Sequence, residues 1–286
     1  MLRVLIRPTT FTILPMQDKQ NPYIDIHHDV SKSMVMHQHT QVEHAFQNTI
    51  AYTVPTPTHT MGLPDIVFTA NAGLCLPRLP TPTILLPYMK YPQRKEELPY
   101  LTQIYKELGL HMIPFPGGPD APFEGQAELK WFHGGTKAVC GYGHRSTKKS
   151  FQLAKKLFET IYTKHHLAPP ELLILPLASD QYYHLDVAML EFSDTECIVH
   201  KRAFSAASIA KLKQFLGPHA VHVIDTPDSF CLNAVVDGPY LITHQLTPSL
   251  KNEIEHITGL TIHMVNTSEF EKSGGSVRCM TLDMLR

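Results

Sequence analysis

The chain has 286 residues, with 25 Lys and Arg against 26 Asp and Glu, so its formal net charge is −1. This balance excludes a protein that binds nucleic acid through an overall positive charge. Apolar residues make up 43% and charged residues 18%, which excludes a disordered chain and allows a sizeable core. The sequence has no apolar run of the roughly 20 residues that a membrane span needs, so we expect no membrane partner.

The five cysteines are spread along the chain and form no CxxC pair. The opening segment 1–16 is broken by Pro8 and lacks an apolar stretch of signal-peptide length. An odd number of scattered cysteines is typical of free thiols in a reducing compartment. We therefore expect a cytoplasmic protein.

The hydrophobic pattern predicts one strand–helix–strand unit, repeated along the chain. The first copy is weak, with an opening strand, a helix over Val42–Ile50 and a strand at 51–55. Four clearer copies follow, each a strand, a helix and a second strand: 83–88, 94–110 and 111–115; 138–143, Ser150–His166 and 171–177; 197–202, Ser205–Leu216 and 221–225; 239–245, Pro248–Thr258 and 261–266.

Alternating strands and helices also occur in a doubly wound parallel sheet. The similarity of the copies favours a different arrangement, in which the units form a closed pseudo-symmetric ring. No long Gly/Ser linker separates the units, so the sequence predicts one α/β domain over residues 1–286.

Four segments between the units combine ionisable side chains with glycine or with a following apolar strand. Equivalent junctions of a ring converge at one end, where ligand sites usually form. We therefore expect the functional site to be built from these segments, which are 63–74, 122–131, 182–190 and 268–282.

Cys279 follows two glycines and precedes an apolar run, a setting that suits a thiol nucleophile activated by a base or a cation. The alternative is a buried packing cysteine, which is favoured for the other four because they lie in strand-like runs. His184 suits proton transfer near neutral pH, although 18 histidines make a structural role common. Glu124 suits the carboxylate that orients such a histidine, or is a surface acid in a loop.

Asp65 and Glu128 are two further acids in the same class of loop. Several acids beside a thiol suit a cationic substrate, although Asp65 after a proline is equally consistent with turn chemistry. His37 and His39 have no second His or Cys pair at zinc spacing, and GxSxG, Walker and HExxH motifs are absent. We therefore expect no metal or organic cofactor.

Six segments together resemble, in order, those of the guanidine-modifying or pentein superfamily. The similarity is greatest to the branch of dimethylarginine dimethylaminohydrolases and arginine deiminases or dihydrolases. This resemblance covers nearly the whole chain and implies a five-fold pseudosymmetric α/β propeller with a central active site. The segments are PDIVFTANAGL, FEGQAELKW, GYGHRST, YYHLDVAML, NAVVDG and SEFEKSGGSVRCMTL.

The resemblance implies a role for each matching residue. Cys279 is expected to be the nucleophile, His184 the general acid and base, and Glu124 the carboxylate that orients the histidine. Asp65 and Glu128 are expected to bind the guanidinium group, although relatives more often carry Asp at the second of these positions.

Three further substrate-binding residues follow from the same resemblance. Arg145 and Arg94 match arginines that hold the α-carboxylate of the substrate. An alternative for Arg145 is a surface residue in a turn that leads into a helix. Asn71 stands where many hydrolases of this class carry a second Asp and some dihydrolase-like branches carry Asn.

The function implied is Cys-dependent hydrolysis of a small guanidino amino acid, arginine or an N-methylated arginine. The reaction passes through a covalent thiouronium and gives a ureido product such as citrulline. Arginine deiminase or dihydrolase activity, amidino transfer, and a non-catalytic binding protein of the same fold are the alternatives. The joint presence of Cys279, His184 and Glu124 favours an enzyme.

Overall fold

The computed structural model describes residues 2–17, 20–55 and 62–284, and its strands form five separate three-stranded sheets. The sheets are β1 (Leu2–Ile6), β2 (Ile50–Val54) and β15 (Leu282–Asp283); β3 (Leu74–Leu76), β4 (Thr83–Leu86) and β5 (His111–Pro114); β6 (Leu129–Phe132), β7 (Lys137–Tyr142) and β8 (Glu171–Pro176); β9 (Met189–Glu191), β10 (Cys197–His200) and β11 (Val221–Ile224); β12 (Val235–Asp237), β13 (Tyr240–Thr243) and β14 (Thr261–Met264).

All five sheets have the same topology. The central strand pairs antiparallel with one neighbour and parallel with the other; in the second sheet, Leu85 lies opposite Leu74 on one side and Ile113 on the other. In the first sheet the antiparallel strand is β15, so residues near the end of the chain complete the sheet that β1 begins. The five predicted units are therefore confirmed as five similar sheets.

Helices connect the central strand of each sheet to its parallel neighbour, because a parallel pair requires a crossover. Several begin at a residue whose side chain accepts a backbone N–H of the first turn, as Ser31, Thr147, Ser205 and Thr247 do. Among the described residues, no helix has the length and apolarity needed to cross a bilayer. The helices are α1 (Lys32–Ala45), α2 (Pro92–Lys95), α3 (Leu98–Glu107), α4 (Lys148–Lys164), α5 (Ala206–Leu216), α6 (Pro248–Thr258) and the short α7 (Ser268–Glu271).

The helix predicted at Val42–Ile50 is wrong in its bounds, since α1 ends at Ala45. The backbone N–H groups of Gln47 and Asn48 both donate to Asp237 Oδ2 at 2.8 Å. Those amides bind a carboxylate instead of continuing the helical ladder. The chain then enters β2, and the strand predicted at 51–55 in the weak first copy of the repeat is therefore in the correct place.

Two smaller predictions also need correction. The helix expected at 94–110 is divided into α2 and α3, because Pro99 has no N–H to donate to the preceding turn. Cys231 was placed in a strand-like run, and it lies in a turn at 229–232 before β12. It is nonetheless buried, like Cys140 and Cys197.

The apolar core consists of five clusters, each of which joins the sheets of neighbouring units. One cluster packs Leu5 of the first sheet against Val235 and Ile242 of the last. The other four join the first sheet to the second, the second to the third, the third to the fourth and the fourth to the fifth. Every unit thus buries apolar side chains against two neighbours.

The predicted site residues lie in equivalent places, just before the antiparallel strand of a unit. Asn71 and Cys279 are each three residues before the start of β3 and β15. Glu124 and His184 are each five residues before the start of β6 and β9. The structural repeat therefore brings these junctions to corresponding positions in their units.

Candidate active site

A narrow cavity, with a volume of about 20 Å³, lies where these junctions meet. The predicted residues Cys279, His184, Asp65, Asn71 and the two arginines Arg94 and Arg145 line it, together with Gln20, Asn21, Ile24, Phe68, Tyr183 and Ser273. Glu124 and Glu128 are not on the cavity wall and lie behind it. The structure therefore brings together most of the residues selected from the sequence.

His184 and Glu124 form a buried hydrogen-bonded pair. His184 Nε2 lies 2.9 Å from Glu124 Oε2, and the two side chains are 2% and 0% exposed. Burial lowers the pKa of His184, although the hydrogen bond to Glu124 opposes this effect. An Nε2–H that donates to Glu124 leaves Nδ1 as the ring nitrogen able to take up and return a proton.

Glu124 is ionised despite complete burial. Burial alone would raise its pKa, but Arg145 and His184 outweigh this and hold the pKa of Glu124 well below its usual range. Arg145 NH1 donates to Glu124 Oε2 at 2.9 Å, and the backbone N–H of Lys90 donates to Oε1 at 3.0 Å. The carboxylate is therefore fixed on both oxygens while it orients the histidine.

Cys279 is a buried thiol with two polar neighbours. Its Sγ donates toward Asp186 Oδ2 at 3.6 Å and accepts from Asn233 Nδ2 at 3.1 Å. Burial and the negative charge of Asp186 raise the pKa of the Cys279 thiol. Without a bound cation the sulfur is therefore protonated at neutral pH.

Gly274 and Gly275 shape the approach to this cysteine. Gly274 has a φ of +88°, and a Cβ at this position would lie 2.6 Å from the side-chain atoms of Asn21. A Cβ at Gly275 would lie 2.1 Å from the ring of Phe68. The two glycines thus let the segment before Cys279 pack closely against the residues that cover the cavity.

Two buried carboxylates near the sulfur and the cavity each have one oxygen without a partner. Asp65 Oδ2 and Asp186 Oδ1 accept no hydrogen bond among the described residues. Burial raises the pKa of both groups. Gln17 Nε2 donates to the other oxygen of Asp65 at 2.8 Å and so fixes that side chain. Both acids have an acceptor atom available for N–H donors of a ligand.

Arg145 is buried beside Glu124 and does not lie on the surface. Its guanidinium is stacked between the rings of Tyr91 and Tyr183, with its central carbon 4.9 and 5.2 Å from their centroids. Its Nε donates to the backbone oxygen of Gln20 at 3.1 Å. With NH1 bound to Glu124, it can act on the catalytic pair as well as on a carboxylate in the cavity.

The guanidinium of Arg94 donates most of its hydrogen bonds to other residues of the protein. Its guanidinium forms a two-point pair with Glu97, with Nε to Oε1 at 2.8 Å and NH2 to Oε2 at 3.0 Å. NH2 also donates to the backbone oxygens of Asp65 and Phe68, and NH1 donates to Asn71 Oδ1 at 2.8 Å. These contacts favour a role in holding the 65–71 segment, and binding of a substrate carboxylate by Arg94 stays a prediction.

Asn71 and Glu128 both contact the His184–Glu124 pair. Asn71 Nδ2 donates to Glu124 Oε2 at 3.4 Å and lies 3.3 Å from His184 Nε2. Glu128 Oε2 accepts from the backbone N–H of Glu124 at 2.9 Å. Burial and the charge of Glu124 raise the pKa of Glu128. These contacts favour support of Glu124 by Glu128 over direct contact with a ligand.

Sequence reasoning missed several residues of the site. Asp186 stands two residues after His184, and this spacing was the one signal that could have selected it. Asn233 lies in the resembling segment NAVVDG, whose residues were not given roles. Gln20 and Asn21 come from the segment before α1, where no motif points to the site.

One group of side chains has the composition of a metal site. Glu124, Glu128 and His184 each offer a ligand atom, and these atoms lie within 4.8 Å of one another. The guanidinium of Arg145, 2.9 Å from Glu124 Oε2, already supplies a positive charge to this carboxylate. His37 and His39 belong to no such group among the described residues.

The fold and the site define a class of protein in which a buried Cys, a His–Glu pair and cavity-lining acids meet between repeated α/β units. The sequence model of the eukaryotic N,N dimethylarginine dimethylhydrolase family matches residues 7–286. The chain therefore belongs to this family, as the resemblance of its six segments indicated.

Individual relatives support the same assignment. The chain is 29% identical over 223 residues to the bifunctional arginine dihydrolase/ornithine cyclodeaminase ArgZ of Synechocystis, covering 77% of this chain and 29% of that protein. It is 27% identical over 269 residues to the N(G),N(G)-dimethylarginine dimethylaminohydrolase of Mycobacterium tuberculosis, covering 92% and 80%. It thus spans less than a third of the length of the bifunctional relative.

A solved structure shows the same fold. The substrate-bound N-terminal domain of a cyanobacterial ArgZ mutant, described as an arginine dihydrolase, superposes with a TM-score of 0.85. The sequence identity is 23%, and the match covers 100% of this chain and 98% of that domain. The mixed α/β fold is thereby confirmed.

Proposed function

We propose that this protein is a cysteine-dependent hydrolase of guanidino amino acids, such as arginine or N-methylated arginine, with a ureido product. The observation that carries the proposal is that Cys279, His184 and Asp65 line one cavity, with Asp186 3.6 Å from the sulfur and one oxygen of each acid without a partner. Membership of the dimethylarginine dimethylhydrolase family supports the same chemistry.

A guanidinium cation suits this site because its N–H groups can donate charge-assisted hydrogen bonds to carboxylate oxygens. Asp65 Oδ2 and Asp186 Oδ1 are the acceptors that it would meet. A cation bound beside Cys279 also lowers the cost of forming the thiolate, which the empty site disfavours. Nucleophile and substrate thereby activate each other.

The first half-reaction breaks a C–N bond and forms a C–S bond. Cys279 gives its proton to His184, which is neutral at rest because burial lowers its pKa. The thiolate adds to the guanidinium carbon, and His184 passes the proton to the departing nitrogen. The leaving group departs as ammonia or an alkylamine, and a positively charged thiouronium remains on the sulfur.

The second half-reaction uses water. His184 takes a proton from water as the oxygen adds to the thiouronium carbon, and the C–S bond then breaks. The hydroxyl proton of the departing ureido product returns to sulfur, and His184 loses its proton to the released amine. Glu124 remains ionised and stabilises the protonated histidine in both halves.

The five sheets provide the frame for this chemistry. We propose a single domain in which the units close into a five-bladed α/β propeller around the cavity. The pairing of β15 with β1, and the core cluster shared by the last and first sheets, support closure of the ring. The five free thiols fit the cytoplasmic location expected from the sequence.

An arginine dihydrolase is the second candidate, and two observations favour it. Asn71 lies beside Glu124 and His184, where its amide can contact a ligand in the cavity. The bifunctional relative ArgZ of Synechocystis is named as an arginine dihydrolase. In this case a ureido intermediate would be hydrolysed again at the same sulfur.

The test is incubation of the protein with arginine, dimethylarginine, citrulline and agmatine in heavy-oxygen water, with products identified by mass spectrometry. Hydrolysis requires a ureido product that carries the heavy oxygen. Release of ornithine from arginine would identify the dihydrolase. Transfer of the amidino group to an added amine, without heavy oxygen, or no turnover of any substrate, would overturn the proposal.

A further inference from the structure

Asn233 holds the backbone and the sulfur of Cys279 at the same time. The backbone N–H of Cys279 donates to Asn233 Oδ1 at 3.2 Å, and Asn233 Nδ2 donates to Cys279 Sγ at 3.1 Å. The backbone N–H of Arg278 donates to the backbone oxygen of Asn233, also at 3.2 Å. Asn233 is fully buried, so water does not replace these bonds.

These contacts fix which end of the amide faces the sulfur. Oδ1 must face the N–H of Cys279, because that group is a donor. Nδ2 then has one hydrogen for the backbone oxygen of Asp186 at 3.2 Å and one for Sγ. Asn233 therefore donates to the sulfur, and such a bond becomes stronger when the acceptor carries a negative charge.

We propose that Asn233 is a further residue of the catalytic centre, which stabilises the thiolate of Cys279 through its Nδ2–H and keeps the sulfur aimed into the cavity. The role of Asn233 in turnover rests on the proposed function. Its effect on the thiolate of Cys279 does not. The proton that leaves the sulfur goes to His184, as in the first half-reaction above, so Asn233 itself exchanges none.

The other groups around the sulfur make a neutral donor necessary. Asp186 lies 3.6 Å from Sγ and disfavours the thiolate, and Asp65 adds a second acid on the cavity wall. Arg145 also lines the cavity, but its NH1 is bound to Glu124. Two neutral donors counter these acids: the backbone N–H of Ser276 and Nδ2 of Asn233, and both lower the pKa of the Cys279 thiol. Of the two, Asn233 is the one that a side-chain substitution can remove.

Asparagine both accepts from the Cys279 N–H and donates to the Cys279 sulfur without adding a charge. Aspartate would accept from the Cys279 N–H but would place a negative charge beside the sulfur. Alanine would remove the donor and leave a buried N–H without its partner. The two substitutions thus separate loss of the donor from addition of a charge.

The experiment measures alkylation of Cys279 by iodoacetamide in the intact protein between about pH 7 and about pH 9, where the rate follows the thiolate fraction. Trypsin cleaves after Arg278 and releases Cys279 in a peptide without another cysteine, so its modification is read separately. The variants are N233D and N233A. The matched control is N266D, since Asn266 accepts from the backbone N–H of Ser268 and aspartate can do the same.

We expect the alkylation rate to fall about tenfold or more in N233D, which corresponds to a rise of about one unit or more in the pKa of Cys279. In N233A the rate should fall about threefold or more. The rate in N266D should equal that of the wild type. With a substrate that the wild type turns over, kcat should fall at least as far while KM changes less than about threefold. If thermal unfolding shows that N233D is not folded, the alkylation rate of N233A decides the question.

Failure of this inference is distinct from failure of the proposed function. Alkylation rates within about twofold of wild type in every folded variant would overturn the role of Asn233, even if the protein hydrolyses guanidines. Slower alkylation of the Asn233 variants, together with a wild-type protein that turns over no guanidine, would support the role of Asn233 and overturn the proposed function.

Discussion

Burial and Asp186 favour the protonated form of the Cys279 thiol, and the proposed function requires a cationic substrate to activate it. If it is the nucleophile, C279S should reduce turnover to less than a tenth of the wild-type rate, because a hydroxyl is a far weaker nucleophile than a thiolate. The measurement is kcat with arginine and dimethylarginine, and thermal unfolding serves as the control for folding. A tenfold loss corresponds to an increase of about 1.4 kcal/mol in the activation free energy. A rate above about a tenth of wild type would contradict the assignment.

His184 acts in both halves of the proposed reaction, so its removal should slow chemistry more than binding. We expect H184A to retain substrate affinity within about threefold, measured by calorimetry, while kcat falls by about 10²-fold or more. Mass spectrometry of the intact protein should detect any covalent adduct that accumulates. Loss of affinity with an unchanged rate per bound substrate would make His184 a binding residue instead.

Arg145 is bound to Glu124, so its truncation should disturb the catalytic pair itself. We expect R145A to lower kcat/KM at least about tenfold for both arginine and agmatine, because the buried carboxylate loses its charged partner. If Arg145 instead serves only the α-carboxylate, as the resemblance implies, agmatine should be unaffected since it has no such group. The ratio of the two losses separates these roles.

At the scale of elements, α2 holds the 65–71 segment against the cavity through the Arg94–Glu97 pair. Both side chains are buried, at 3% and 2% exposed, and burial raises the pKa of Glu97 to about 7. Measured at about pH 8, where Glu97 is ionised, E97Q therefore leaves a guanidinium without its charged partner. We expect a loss of about 3 kcal/mol in the free energy of unfolding and a higher KM, because Asp65 and Asn71 lose their support. Denaturant unfolding and steady-state kinetics measure the two effects.

The control for E97Q is K201Q, which breaks the exposed pair of Lys201 and Asp225, whose side chains are 62% and 44% exposed. An exposed pair contributes about 0.5 kcal/mol, so this variant should unfold almost like the wild type. Equal stability losses in E97Q and K201Q would show that the Arg94–Glu97 pair does not hold the segment.

The sequence predicted the elements with long periodic patterns, and these also placed the site. Helices α4, α5 and α6 and the parallel strand pairs were found because their apolar spacing extends over many residues. The antiparallel strands have two to four residues and were seen only as apolar ends of the polar loops. Segments that short carry no period that can be recognised.

The parts of the site that could not be predicted depend on contacts between distant segments. Gln17 reaches Asp65 across 48 positions of sequence, and Asn233 reaches Cys279 across 46. No local spacing encodes such a pair. The early end of α1 has the same origin, since the carboxylate that binds Gln47 and Asn48 belongs to Asp237 in the last unit.

At the scale of the whole molecule, stability depends on contacts that join the units to one another. Each core cluster is shared between two neighbouring sheets, so no unit buries its apolar face alone. His244, at the end of β13, contributes a polar link of this kind. Its Nε2 lies 3.1 Å from Asp228 Oδ2, and its Nδ1 lies 3.3 Å from Glu271 Oε1.

This histidine should make folding stability depend on pH in the alkaline range. Burial alone would lower its pKa, but the hydrogen bonds to Asp228 and Glu271 outweigh burial and raise the pKa of His244 from 6.5 to about 9. The folded protein therefore binds a proton that the unfolded chain releases between these values. The stabilisation is complete below about pH 6.5 and is lost as the pH rises through about 9.

The measurement is the free energy of unfolding of wild type and H244Q as a function of pH. The difference between the two proteins cancels the titration of other groups, and we expect it to shrink by about 3 kcal/mol from about pH 6 to about pH 9.5. Because Glu271 lies in α7 and Asp228 lies in the loop before β12, loss of the charge should loosen both segments that lead to Asn233 and Cys279. A difference that stays constant over this range would show that folding does not raise the pKa of His244.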